Sequence, residues 1–201
     1  MSVASENQTI PPLILASSSR YRADLLKRLG LSFSQASPRT DETQKVGEQP
    51  EQLARRLATE KALTIAGEHP GCLVIGSDQV ASLNGEPLGK PGSVERARTQ
   101  LRRCSGQSVV FYTGLSVAGP ATDQLFSLTD TFTVHFRELS NAQISRYIEK
   151  ELPLDCAGSF KMEGLGISLF EKLEGNDPNT LIGLPLIELV TLLNQRGIAI
   201  P

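Results

Sequence analysis

Histidine is almost missing from this chain: His69 and His135 are the only two in 201 residues. An imidazole-rich metal site is therefore excluded, and the metal environment the chain can build is one of oxygen ligands, suited to Mg²⁺ or Mn²⁺. Cysteine is scarce as well. Cys72, Cys104 and Cys156 are odd in number, widely spaced and free of any C-x-x-C pair, so they read as small core residues, with neither a disulfide framework nor a zinc site expected. Charge of one sign is also lacking, since 20 Lys and Arg stand against 22 Asp and Glu for a formal net charge of -2. Without clustered basic residues no field gathers a polynucleotide, so no nucleic-acid polymer is expected as partner and any anionic ligand must be captured locally. No run approaches the ~18 apolar residues of a membrane span, and MSVASENQTIPP has neither the basic n-region nor the apolar h-region of an export signal. No membrane partner is expected, and the location implied is cytoplasmic.

What remains is ordinary globular composition, 39% hydrophobic and 21% charged, which predicts a packed core and excludes a disordered chain. Residues 1–11 read as a flexible polar leader and residues 12–201 as a single α/β domain, with a mixed sheet flanked by helices and two lobes around a cleft. LILA (Leu13 to Ala16) reads as a short buried strand, followed by a serine turn and a helix that stops at Gly30. A long helix is expected from Pro50 to Ala66, its apolar stripe made by Leu53, Ala54, Leu57, Ala58, Ala62 and Ile65. CLVIGSD (Cys72 to Asp78) reads as a central strand that ends in an acid where it emerges at a site. A helix over Val94 to Cys104, a strand in VVFYTGLSVAG and a strand in FTVHFREL follow. A helix capped by Ser140 and Gln143 comes next, then a Gly-rich segment, a strand ISLF, a loop EGNDPNT and a last helix between Pro185 and Gly197.

Several side chains stand where chemistry would need them. The turn from Ala16 to Arg22 gathers hydroxyls, free helix N-terminal N–H groups and guanidinium groups at a strand end, an anion cradle; ordinary N-capping by Ser18 or Ser19 is the plainer account. Lys61 lies inside an apolar stripe, one turn from Leu57 and from Ile65, so it needs a partner or must snorkel its ammonium to the surface. On that argument methionine suits the stripe better, and Lys61→Met costs no stability. Lys90, in the loop GKPG, can reach a phosphate, although most loop lysines are simply solvated. Asp78, Asp41, Glu42 and Glu163 are the carboxylates available for metal binding or proton transfer. Asp78 is foremost among them, because an acid after LVIGS is costly unless paired, metal-bound or at a sheet edge.

Five separated segments agree in order with one family. LILASSSRYRADLL, the pair Asp41-Glu42, EKA (Glu60 to Ala62), IGSDQV with GKP, and CAGSFKMEGLG with EGNDPNTLIGLPL together resemble the Maf nucleotide pyrophosphatases, from Leu13 nearly to the C-terminus. The resemblance implies a Maf/ITPase-like fold and metal-dependent hydrolysis of a nucleoside triphosphate to its monophosphate and pyrophosphate. It makes Asp78 the proton acceptor or metal-bound base and Glu42 a metal ligand. Ser17, Ser19, Arg22, Lys61 and Lys90 become the groups that bind the triphosphate. Family members carry proline where Arg20 stands, so the arginine role passes to Arg22. GSDQV and SFKMEG look like the branch acting on 7-methyl-GTP, with Tyr21, Gln79 and Glu163 as the specificity residues and Tyr21 in place of a tryptophan common there. The sister activity on dTTP and UTP, and a nucleotide-binding inhibitor of septum formation, are the rival readings. A homodimer is the assembly implied.

Overall fold

The computed structural model describes residues 11–120 and 124–201; the leader expected over residues 1–11 lies, Pro11 aside, outside them. Seven strands form one mixed sheet. They are β1 (Leu13–Ala16), β2 (Phe33–Ala36), β3 (Leu73–Leu83), β4 (Glu86–Leu88), β5 (Ser108–Ala118), β6 (Phe126–Phe136) and β7 (Phe170–Glu174), in the order β2-β1-β3-β5-β6-β7 with β4 also on β3. β2, β1 and β3 run parallel, which is why LILA is buried at all four positions, whereas β3, β4, β5, β6 and β7 pair antiparallel. The helices are α1 (Arg20–Lys27), α2 (Pro50–Glu68), α3 (Val94–Cys104), α4 (Asn141–Glu151), α5 (Pro178–Ile182) and α6 (Leu186–Gln195).

One face of the sheet is covered by α2, whose Leu57 and Ile65 meet Val80 and Val74. The other face carries two separate cores. Leu73 and Ile75 of β3 pack with α1 and α6, while Ala81 and Leu83 of the same strand pack with α3, α4 and the later strands. Between them, Ser77 and Thr113 are fully buried and polar, and α5 fills the gap: Ser77 donates to the Gly183 carbonyl (2.9 Å) and Thr113 to that of Thr180 (2.9 Å). This polar seam divides the two lobes.

Four local expectations need correction. β3 does not end at Asp78 but continues to Leu83, so the acid sits in mid-strand. Continuous pairing with β5 from Val74 to Leu83 sustains the strand, which the local switch from apolar to polar residues concealed. β6 likewise begins six residues before FTVHFREL, because FSLTDT is held by its ladder to β5 although its apolar alternation, Phe126 and Leu128, breaks at Asp130. ISLF is mostly a 3₁₀ turn over Leu165–Leu169, and the strand is FEKLE, an edge strand whose charges face water. EGNDPNT is not all loop. Asp177 accepts from the Asn179 N–H at 2.8 Å and, with Pro178 behind it, starts α5. β2 and β4, short and polar, gave no pattern to read. Among the described residues no helix is long and apolar enough to cross a membrane.

Candidate active site

β3 changes partner along one edge. Residues 73–76 pair with β1 and residues 81–83 with β4, so Ser77 to Val80 face an opening in the sheet edge. A cleft of about 750 Å³ enters there, and Ser17, Ser19, Tyr21, Arg22, Glu42, Lys61, Asp78, Gln79, Lys90 and Glu163 all line it. The structure thus brings to one cavity ten residues spread over nearly 150 positions of chain.

The centre is built by α2 on β3. A Cβ on Gly76 would overlap the Ala58 carbonyl, and one on Gly114, the residue paired with Asp78, would overlap that of Ala54. These two glycines let α2 lie directly on the sheet. Close approach carries Lys61 to Asp78, where Nζ donates to Oδ1 at 2.6 Å, and Glu42 Oε1 stands 2.5 Å from the same ammonium. Lys61 and Asp78 are 7% and 8% exposed, so the ammonium is paired in the interior and does not snorkel out. Lys61 holds the Glu42 carboxyl below the usual carboxylate range against the opposing effect of burial, and the charges of Lys90 and Arg22 add to the lowering. The structure also reverses the expectation that methionine at 61 is harmless, because Asp78 would lose its buried partner.

The serine turn forms the adjoining wall. Ser17 closes β1, and its Oγ accepts from the Ser19 N–H and from Arg22 Nη1, both at 3.2 Å. Ser19 caps α1 by accepting from the Arg22 N–H at 3.4 Å. Capping and the cradle therefore coexist in one turn. Arg22 Nε donates to the Gly183 carbonyl at 2.8 Å, which orients the guanidinium. Burial makes its charged form costlier, while Asp78 and Glu42 favour that form. Lys90, exposed, completes three cations around two carboxylates.

Further along, Phe111 and Phe160 meet edge-on at 5.3 Å and form an apolar wall. Tyr147 accepts from the Lys161 N–H at 2.9 Å and steadies the segment that carries the exposed Glu163. Tyr21 is half-buried; Arg20 donates to its hydroxyl at 2.9 Å and holds its guanidinium carbon 4.8 Å from the ring centroid. Tyr21 and Glu163 both line the cleft, with Asp155 and Cys156 also in its wall. Burial pushes the Cys156 thiol up to about 12, which leaves it protonated and unreactive at neutral pH. Gln79 spends its amide nitrogen on the Thr180 carbonyl (2.8 Å), the Leu181 carbonyl (3.2 Å) and Thr113 Oγ1 (3.1 Å), leaving Oε1 for a ligand. Gln79, expected as a specificity residue, therefore has one side-chain acceptor to offer a base.

Sequence reasoning passed over Gly76, Gly114 and the arginine at 56. A glycine within an apolar strand pattern is itself a sign of close backbone approach, so the first two were findable.

Taken as a class, this is a mixed α/β protein whose sheet opens onto a cleft lined by basic side chains and paired carboxylates. The chain belongs to the Maf family: the family model described as Maf-like protein matches residues 12–196. It is 55% identical over 192 residues to a Pseudomonas aeruginosa protein named 7-methyl-GTP pyrophosphatase, covering 96% of this chain and 100% of that relative. A Vibrio vulnificus protein of the same name is 55% identical over 188 residues, covering 94% of this chain and 96% of its own. Among solved structures, a HAM1 protein from Coxiella burnetii superposes with a TM-score of 0.55 at 14% identity, covering 92% of this chain and 100% of that one. That likeness is one of fold.

Proposed function

We propose that this protein hydrolyses 7-methyl-GTP to 7-methyl-GMP and pyrophosphate. The observation that carries the reading is the buried pair of Lys61 and Asp78 at the open edge of β3, with Glu42 on the same ammonium and Arg22 and Ser17 beside it. Relatives more than half identical over nearly their whole length bear that activity in their names.

The triphosphate would lie along the serine turn, where Arg22 offers its guanidinium and α1 its free N–H groups. Lys61 and Lys90 would neutralise the charge that spreads over the phosphate oxygens as the bond breaks. Lys61 occupies Oδ1 of Asp78, so Oδ2 is the atom to accept a proton from the attacking water. The water oxygen bonds to phosphorus, the bond to the α-β bridging oxygen breaks, and pyrophosphate departs with that electron pair.

Glu42 and Asp78 converge as two hard oxygen donors, which suits Mg²⁺ or Mn²⁺. Among the described residues no group of three or more His, Cys, Asp or Glu forms a full cage. Glu42 and Asp78 would hold the ion, and a two-carboxylate donor set fits Mg²⁺, which is ordinarily held by one or two carboxylates together with substrate phosphates. When bound, the ion supplies further charge neutralisation at the triphosphate.

At the far end, Tyr21 would stack on the positively charged 7-methylguanine, worth roughly 0.5–2 kcal/mol as a cation-π contact. Glu163 would accept two hydrogen bonds from N1–H and the exocyclic amine, which thymine and uracil cannot donate. The reading takes the enzyme to be a cytoplasmic homodimer acting on a free nucleotide. Pyrophosphate release measured side by side with 7-methyl-GTP, GTP, dTTP and UTP tests it. The expected preference is for 7-methyl-GTP; a preference for dTTP and UTP would transfer the protein to the sister activity, and no release from any would leave only a binding role.

A further inference from the structure

Glu42 is poorly placed to hold itself still. Residues 41–47 are all exposed, no apolar side chain of that stretch packs on the body of the protein, and the Glu42 side chain is itself 61% exposed. Apart from its contact with Lys61, a carboxylate on so open a loop would sample many positions, and each position lost on binding an ion weakens that binding.

Lys61 meets the Glu42 carboxylate itself, and a second residue of α2 ties down the backbone of the loop. Arg56 lies on α2, five residues before Lys61, and is only 16% exposed. Its Nε donates to Glu48 Oε1 at 2.6 Å and its Nη2 to Glu48 Oε2 at 2.9 Å, a two-pronged grip on the C-terminal end of the loop. The same Nη2 donates to the carbonyl of Thr43, the residue next to Glu42, at 3.0 Å. Nη1 is braced against Glu60, one turn further along α2, at 3.1 and 3.3 Å. Glu48 in turn accepts from the Lys45 N–H at 3.0 Å, so loop and helix close into one network. Glu48 is 9% exposed on its side chain, and the paired guanidinium holds its carboxyl down at about 2. A shielded, bidentate arginine network is of a different kind from an isolated, solvated ion pair, which contributes little.

We propose that Arg56 is a positioning residue for Glu42. By clipping the 42–49 loop to α2 it holds the Glu42 carboxylate opposite Asp78, on the same rigid helix that delivers Lys61. The inference rests on the reading of Glu42 as a metal ligand given above.

The test uses the full chain with Arg56→Met, Arg56→Lys, Glu48→Gln, Glu42→Gln and the double variant Arg56→Met/Glu42→Gln. Mn²⁺ affinity is measured by calorimetry in the presence of a non-hydrolysable α,β-analogue of whichever triphosphate the side-by-side assay shows to be turned over. Melting is followed in parallel. Arg56→Met should weaken Mn²⁺ binding about tenfold, on the scale of removing a residue that orients a ligand. Arg56→Lys should fall between, because it keeps the charge and loses the two-pronged geometry. Glu48→Gln should weaken Mn²⁺ less than Arg56→Met does. In the double variant Arg56→Met should add nothing to Glu42→Gln. Where Arg56→Met folds poorly, Arg56→Lys and Glu48→Gln carry the test, each measured directly against the unaltered protein and expected to bind Mn²⁺ more weakly than it does. If Glu42→Gln weakens Mn²⁺ while the Arg56 and Glu48 variants do not, or if the two losses add in full, the role of Arg56 is overturned and that of Glu42 stands. If Glu42→Gln itself leaves Mn²⁺ affinity unchanged, the assignment of Glu42 falls and takes the positioning role with it.

Discussion

Replacing Lys61 by methionine removes one atom group from two arrangements at once, the buried pair with Asp78 and the contact with Glu42. Taking one partner from a buried ion pair costs about 3–5 kcal/mol when the other is left without compensation. The lower end applies here, because Asp78 borders an open cleft. Glu42, with its side chain 61% exposed, adds no more than about 1 kcal/mol. Methionine recovers about 0.8 kcal/mol, the scale of one buried CH₂ group, by filling the stripe between Leu57 and Ile65 without needing a partner. The net expectation is a loss of about 2–4 kcal/mol at pH 8, or a melting temperature lower by about 4–16 °C for a domain of this size. The pH dependence has a definite sign. Glu42 has a folded value below its unfolded one because of Lys61, so the stabilisation is present above the unfolded carboxyl value of about 4.3 and is lost as pH falls through the lower folded value. The difference between variant and parent is therefore full at pH 8 and narrows below about pH 4.3. Added Mn²⁺ should raise the variant's melting temperature more than the parent's, since it meets two carboxylates with no ammonium between them. Thermal melts at pH 8 and pH 4, with and without Mn²⁺, check this. A variant that melts at or above the parent at pH 8 would refute the reasoning and restore the view of Lys61 as an ill-fitting residue in an apolar stripe.

Asp78→Asn should lower pyrophosphate release by ~10²- to 10⁴-fold while calorimetry still detects nucleotide binding, and a variant keeping most of its turnover would remove Asp78 from proton transfer. Glu163→Gln should lower kcat/KM for 7-methyl-GTP far more than for UTP, since charge-assisted hydrogen bonds of ~1.5–3 kcal/mol are lost with one base only; equal losses would leave Glu163 without a part in base selection. Gly114→Ala should lower stability by roughly 1–3 kcal/mol and turnover with it, because the added methyl lifts α2 and draws Lys61 from Asp78. Melting and pyrophosphate release measured on the same preparation check both halves, and unchanged turnover in a destabilised protein would uncouple the helix seat from the site.

Much of this protein is decided by short stretches of chain. The strand LILA, the serine turn and α1 follow from an apolar run, a capping serine and a helical repeat that lie within twenty residues, and α3 and α4 each start at a serine that caps them locally. Lys61 also announced itself locally, since an ammonium on the buried stripe of an amphipathic helix is a conflict visible in the spacing alone. What that conflict meant was not local. Whether Lys61 turns outward or inward depends on Gly76 and Gly114, which lie 15 and 53 residues away and which admit α2 onto the sheet only because neither has a side chain. Asp78 read as a strand end, and only the ladder to β5 shows it in mid-strand at a gap left by β1 and β4. Nothing in the sequence showed that the amide nitrogen of Gln79 is held by α5, a hundred residues on. The division has one physical cause. Propensity, capping and amphipathic spacing act between residues a few positions apart and can be read from their order, whereas strand pairing, close packing and the partner of a buried charge depend on which distant segments meet, and that is set when the chain folds.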